Sequence, residues 1–209
     1  MMDYRINLLI ENWKKRNIDG LYCPDKNTAL AKVMEIIPKN SSVGISGSLT
    51  LDALGVALAL ENRGTRVFNQ YKPGLSRGES LELRKQGACA DYYLASPNAI
   101  AQTGELVFFS AYGNRTAGIA NAANVIIIAG INKLCPGLQE ALKRAREYVT
   151  PLNCKRLNWA SPCFKGGICH ETLCRFPEYK RMCCQILIIE AEVLAGRFRG
   201  IIVEEELGF

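Results

Sequence analysis

No apolar run in this chain is long enough to cross a bilayer. Its most apolar stretches, Asn124–Ile131 and Gln185–Ala191, are strand-sized, whereas a spanning helix needs roughly 20 apolar residues, so a membrane span is excluded. The N-terminus carries the basic "WKKRN" but no apolar export core and no small-residue cleavage site, which implies a cytoplasmic protein. Also missing is any cluster of basic side chains interleaved with aromatics. The 26 Lys and Arg against 20 Asp and Glu give a formal charge of +6, but they are scattered along the chain. Nucleic-acid binding leaves a concentrated basic footprint, so a nucleic-acid partner is excluded and a small anionic ligand suits the balance better. There is no internal repeat and no low-complexity segment, and His170 is the only histidine.

At 209 residues with 48% apolar content, the chain has material for one substantial domain plus a small appendage. The appendage is residues 1–40, a helical segment. Ile6, Leu9, Ile10 and Trp13 recur with a helical period over Tyr4–Asn17, which closes at the turn-prone "NIDG". A second helix follows an Asn27 cap and ends at Pro38. Residues 41–209 form the main domain, including a cysteine-rich segment at 154–184 ahead of the last strands.

Within the main domain, short apolar runs bounded by Gly, Asn, Ser or Pro read as strands: Ser42–Ser46, Thr65–Asn69, Asp91–Ser96, Glu105–Ser110, Asn124–Gly130, Gln185–Val193 and Arg199–Glu205. Helical segments lie around Leu51–Asn62, Leu75–Gln86 and Pro136–Tyr148. This alternation predicts an α/β fold, an open and mostly parallel sheet with helices on both faces, with Asn124–Gly130 as a central strand.

Two stretches invite a ligand. "GISGSLT", Gly44–Thr50, falls where a strand ends and a helix begins, the edge at which open α/β sheets bind ligands. Its small residues and hydroxyls suit an anion, or they make an ordinary tight turn with a serine cap. Farther on, Asn98, Gln102, Thr103, Glu105, Asn114 and Arg115 converge within eighteen positions. Arg115 could clamp a carboxylate or phosphate through its two-pronged donor, or the segment could simply be a loop of caps and turns.

Taken together, "GSLTLDALG", "ADYYLASPNAIAQTGELV", "GNRTAGI", "NVIIIAGINK", "TPLNCKRLN", "SPCFKGGIC" and "ELGF" make the chain resemble the LUD, or lactate-utilisation, domain family, over roughly Ser42 to Phe209. The resemblance implies a fold like that of ribose-phosphate isomerases and CoA-transferases, and a part in oxidising L-lactate to pyruvate within an iron–sulfur-containing system with partner redox subunits. It also implies that Gly47, Ser48, Thr50, Asn98, Thr103, Glu105, Asn114 and Arg115 line the pocket. Glu105 is then the side chain suited to acid–base work or acyl attack, or it is a structural acceptor.

The same resemblance implies Cys163, Cys169, Cys174 and Cys183 as a ligand set. They and Cys184 crowd one short window of a chain whose nine cysteines are an odd count, and a reducing compartment disfavours disulfides. Four thiolates suit zinc or a four-iron four-sulfur cluster. The long loops and Gly166-Gly167 favour the larger cluster, with His170 a substitute ligand. Reduced thiols without metal are the third possibility; Cys23, Cys89 and Cys135 fit that description as small buried hydrophobes.

The function expected is an electron-transferring component of organic-acid utilisation. Two alternatives stand beside it: a non-redox ligand-binding or assembly protein with a structural zinc, and an isomerase or acyl-transferase-type enzyme. A homo-oligomer is compatible with any of them.

Overall fold

The computed structural model describes residues 3–171, 174, 175, 178 and 180–209. Helix α1 (Tyr4–Lys15) places Ile6, Leu9 and Trp13 on one buried face, and the Asp3 carboxylate caps it by accepting the Arg5 amide. Asn17, at a left-handed φ of 57°, reverses the chain. The segment beyond it is more than a turn: Asp19–Cys23 is strand β1, paired in parallel with the strand at Phe198–Val203. The N-terminal segment is thus built into the edge of the main sheet. Helix α2 (Lys26–Ile36) is capped by Asp25 rather than Asn27. Asp25 is the extended residue, and its carboxylate accepts the Thr28 amide at 2.7 Å.

Next come β2 (Ser42–Ile45), α3 (Leu49–Leu54), α4 (Val56–Asn62), β3 (Arg66–Phe68), α5 (Arg77–Ala88) and β4 (Tyr92–Ala95). After these the chain forms β5 (Ala99–Ala101), β6 (Leu106–Ser110), α6 (Asn114–Asn121), β7 (Asn124–Gly130) and β8 (Leu134–Cys135). Helix α7 (Leu138–Lys143) runs through a π-helical turn, Arg144–Val149, into α8 (Thr150–Arg156); α9 (Pro162–Gly166), β9 (Gln185–Ile189) and β10 (Phe198–Val203) complete the order.

The main sheet has the order β1-β10-β7-β4-β2-β3, parallel throughout. Strand β7 is central and buried on both sides. Val125, Ile127 and Ala129 pack with Trp13, Phe108 and Phe198, while Ile126 and Ile128 pack with Val33, Leu51 and Leu60 from α2, α3 and α4. Each isoleucine removed from water in this way contributes about 1.5–3 kcal/mol, which fixes the level at which the strand ends project.

The expected single sheet is in fact two. β6 and β9 leave the parallel sheet and, with β5 and β8, form a four-stranded sheet in the order β8-β5-β6-β9. The cause is local: Gly104, at φ 111°, closes a tight turn that pairs β5 and β6 antiparallel. A parallel neighbour would need a crossover of a dozen or more residues. This second sheet covers one face of the main one beside α1 and α6, with Phe108 and Leu106 between the layers. Among the described residues, no helix is long and apolar enough to cross a membrane.

Candidate functional site

A cleft of about 790 Å³ opens at the carboxyl ends of β2, β4 and β7. Its walls are the β2–α3 turn, the β4–β5 and β6–α6 connections, and α8 with Met182 and Cys183. Parallel packing brings these ends together: the residue just past β2 is Ser46, the one past β4 is Ser96, and Lys133 follows β7 in a single 3-10 turn.

Of the residues expected there, Gly47, Ser48, Thr50, Asn98, Asn114 and Arg115 all line the cleft. The Arg115 guanidinium donates to Asn98 Oδ1 at 2.9 Å, to the Phe109 carbonyl at 3.2 Å and to the Gly47 carbonyl at 2.8 Å. All three partners are neutral, and two of the five N–H donors of a guanidinium are left over. Burial lowers its pKa, and the Arg156 charge across the cleft pushes the same way. Asn114 donates to the Tyr71 hydroxyl at 2.8 Å. Gly47 is needed for that ring: a Cβ there would lie 2.7 Å from Tyr71 Cζ. Ser48 caps α3 through the Leu51 amide at 3.4 Å.

Thr103 and Glu105 are elsewhere. They sit at the β5–β6 turn, outside the cleft lining. The Glu105 carboxylate accepts the Arg16 guanidinium at 2.6 Å and the Thr103 hydroxyl, tying α1 to the second sheet. Burial alone would raise the Glu105 pKa, but the Thr103 hydroxyl, its own backbone and Arg16 together hold it below the ordinary value.

Lys133 closes the "NVIIIAGINK" stretch but is not among the residues expected to line the cleft. It is 4% exposed, and its Nζ lies 2.8 Å from Thr50 Oγ1, 2.8 Å from Ser96 Oγ and 3.2 Å from the Pro97 carbonyl. No carboxylate among the described residues pairs with it. Burial lowers its pKa well below the ordinary lysine value, and the Arg115 and Arg144 charges lower it further. Arg144, from the π-helical turn, bonds the Asn98 carbonyl at 2.8 Å and the Asn132 carbonyl at 3.0 Å, which fixes the two segments that flank Lys133. Nearby, the Ser46 hydroxyl is 1% exposed and has no hydrogen-bond partner among the described residues. The place of Lys133 three residues past the end of the central strand puts it at the ligand edge of the sheet, but the letters alone do not set it apart from an ordinary loop lysine.

The cysteine segment forms one wall. Cys154, Cys163 and Met182 make a small buried cluster against Ala111, Trp159 and Phe164, and Cys183 borders the cleft. The thiols of Cys169 and Cys174 are pushed up in pKa by burial first, then by the neighbouring Cys163 and Cys183 thiols. Cys163 Sγ meets Ser161 Oγ at 3.2 Å, and Cys183 Sγ accepts from Arg181 Nε at 3.4 Å. Among the described residues, no three His, Cys, Asp or Glu side chains are spaced to hold a metal ion. The donor chemistry suits a metal, but ligation would require the thiols to close up. No cysteine is in a disulfide; Cys23 and Cys135 are buried as expected, and Cys89 is exposed.

The model of the LUD domain family matches residues 6–203 of the chain. Among solved structures, the chain is similar to a DUF162 family protein from Deinococcus radiodurans. The two are 12% identical with a TM-score of 0.50, covering 96% of this chain and 94% of that one, a likeness of fold. No curated protein matches.

Proposed function

Because the chain belongs to the LUD domain family, we propose that it serves organic-acid utilisation by holding a small organic anion, L-lactate or its oxidation product pyruvate, in the strand-end cleft. The observation that carries this is the Arg115 guanidinium in the cleft with only neutral oxygen partners. A guanidinium without a counter-ion favours an anion, and its free edge matches a carboxylate in two parallel bonds. The orphan Ser46 hydroxyl and the Ser96 hydroxyl add polar contacts for the rest of a hydroxy or oxo acid.

Calorimetry and thermal unfolding with L-lactate, D-lactate and pyruvate test the reading. Saturating ligand at 100 times its Kd raises stability by about 2.7 kcal/mol. Arg115→Lys keeps the charge but loses the two-pronged geometry, and should weaken binding about tenfold or more. Absence of binding by all three acids at millimolar concentration would reject the proposal.

A second part concerns the thiols. We propose that Cys163, Cys169, Cys174 and Cys183 take a metal, supported by four thiols carried on one short segment whose Cys183 borders the cleft. An iron–sulfur cluster bound there would supply one-electron transfer to a partner redox subunit; zinc would only brace the wall. Metal content and visible absorption of anaerobically purified protein separate the two. Acyl transfer through Glu105 has no support in the cleft, since that carboxylate is engaged with Arg16 away from it.

A further inference from the structure

We propose that Lys133 forms an imine with the carbonyl carbon of a 2-oxo acid bound in the cleft, with the Ser96 hydroxyl carrying the protons. The inference rests on the reading that the cleft holds organic acids, and it names the reactive class among them.

The three partners of Lys133 are not equivalent. The Thr50 hydroxyl donates its hydrogen to the Leu207 carbonyl at 2.9 Å, so toward Lys133 it only accepts. The Pro97 carbonyl can only accept as well. Ser96 Oγ has no partner other than Lys133 among the described residues, and its hydrogen is free to turn. As an ammonium, Lys133 donates to all three. As an amine, it donates to Thr50 and Pro97 while Ser96 donates into its lone pair. Both protonation states are satisfied without moving a heavy atom, and only Ser96 changes direction.

A lysine enclosed in this way, beside other cations and with no acid, is the setting in which an amine becomes a nucleophile at neutral pH. Arg115 and Arg144 are the charges that act on it, and both disfavour the ammonium. Arg115 can hold the acid's carboxylate, which leaves the adjacent carbonyl for Nζ. The Lys133 lone pair adds to the carbonyl carbon, a C–N bond forms, and the C–O π pair moves to oxygen. That oxygen takes a proton while nitrogen loses one, relayed through Ser96. A second proton delivered by the Ser96 hydroxyl to the same oxygen releases water as the C=N bond closes, and nitrogen's remaining hydrogen returns to Ser96. The net change is amine plus ketone giving imine plus water, with no oxidant or reductant.

The same pair could instead make Ser96 an acyl nucleophile with Lys133 as its base. The residue after Ser96 is Pro97, which has no N–H, so the amide that follows an acyl nucleophile and steadies its oxyanion is missing. The geometry favours the amine as nucleophile.

The test treats the full chain with pyruvate and sodium cyanoborohydride near pH 7, followed by intact mass and peptide mapping. In parallel, calorimetry measures pyruvate and L-lactate binding without reductant. The expected result is a single adduct on Lys133, heavier by pyruvic acid less one oxygen atom. L-lactate has no keto group, so it competes for the cleft and suppresses trapping but forms no adduct. Ser96→Ala at saturating pyruvate should slow trapping at least about tenfold. Pyruvate binding without an adduct, or with adducts only on exposed lysines, overturns the imine and leaves the cleft reading standing. Acylation of Ser96 by p-nitrophenyl acetate without a pyruvate adduct overturns it in favour of the acyl route. No binding and no trapping overturns both.

Discussion

The side-chain carbonyl of Asn98 holds the Arg115 guanidinium at 2.9 Å and accepts the Phe109 amide at 2.8 Å with the same oxygen. One neutral atom thus orients the cleft's arginine without cancelling its charge. Asn98→Asp keeps the acceptor and adds a charge. The variant should fold, because a carboxylate against Arg115 is favourable, but it should bind organic acids at least about tenfold more weakly, since the cation is then paired internally. Calorimetry with pyruvate checks this; unchanged affinity would remove Arg115 from the binding role.

Glu105 and Glu192 give the pH dependence. Burial opposes ionisation of both, but hydrogen bonds and their arginine partners more than offset it, and both pKa values end below the ordinary one. Their stabilisation is therefore fully present above the unfolded glutamate pKa, about 4.3, and is lost as pH falls through the lower folded values. The Glu192 pair with Arg197, at 2.6 Å, is the more enclosed of the two. Glu192→Gln should cost about 1–3 kcal/mol at pH 7 and Glu105→Gln about 1 kcal/mol. In each case the gap from the parent should shrink below about pH 4. Glu105→Gln should leave organic-acid affinity unaltered, because its carboxylate faces Arg16 and not the cleft. Denaturant titrations at several pH values read the first effect and calorimetry the second.

Much of this fold can be read from the letters alone where burial is two-sided. Val125–Ala129 must be central, since an apolar run with no alternation leaves no face for water. The turn at Gly47, with Asn98 and Arg115, was legible because its residue types are poor choices for a packed connection. Three features were not. The strand Asp19–Cys23 is short and half-polar, and only its pairing with Phe198–Val203 makes it a strand. β6 reads like any buried strand, and its antiparallel partner β9 is nearly eighty residues away, beyond the cysteine segment. Lys133 reads like an ordinary loop lysine; its acceptors Thr50 and Ser96 lie 83 and 37 positions away in the chain, a convergence that no local pattern encodes.

The thiol proposal makes a proton-coupled prediction. Burial and neighbouring thiols keep Cys169 and Cys174 protonated to a higher pH than a free cysteine, and a metal must displace those protons. Zinc affinity should therefore rise steeply between about pH 6 and 8, with proton release visible in buffers of different ionisation enthalpy. Bound zinc should protect Cys163, Cys169, Cys174 and Cys183 from a maleimide while leaving exposed Cys89 reactive. Equal labelling of all five with and without zinc would rule out a site at these thiols.

Two glycines separate packing from site geometry. A Cβ on Gly118 would lie 2.2 Å from the ring of Tyr93, which is 2% exposed and fixed between α6 and the sheet. Neither group can yield, so Gly118→Ala should destabilise by about 1–3 kcal/mol or more through overpacking, lowering the denaturant midpoint at unchanged slope. A Cβ on Gly47 would also be too close, 2.7 Å from Tyr71 Cζ, but Tyr71 is 52% exposed and can swing into solvent. Gly47→Ala should therefore cost less than about 1 kcal/mol. Its consequence is local: the Asn114–Tyr71 bond breaks and the cleft loses one wall. If Tyr71 closes over bound acid, Gly47→Ala and Tyr71→Ala should weaken pyruvate binding by the same factor, and the double variant by no more than either alone. Additive losses would place Tyr71 outside the ligand's reach.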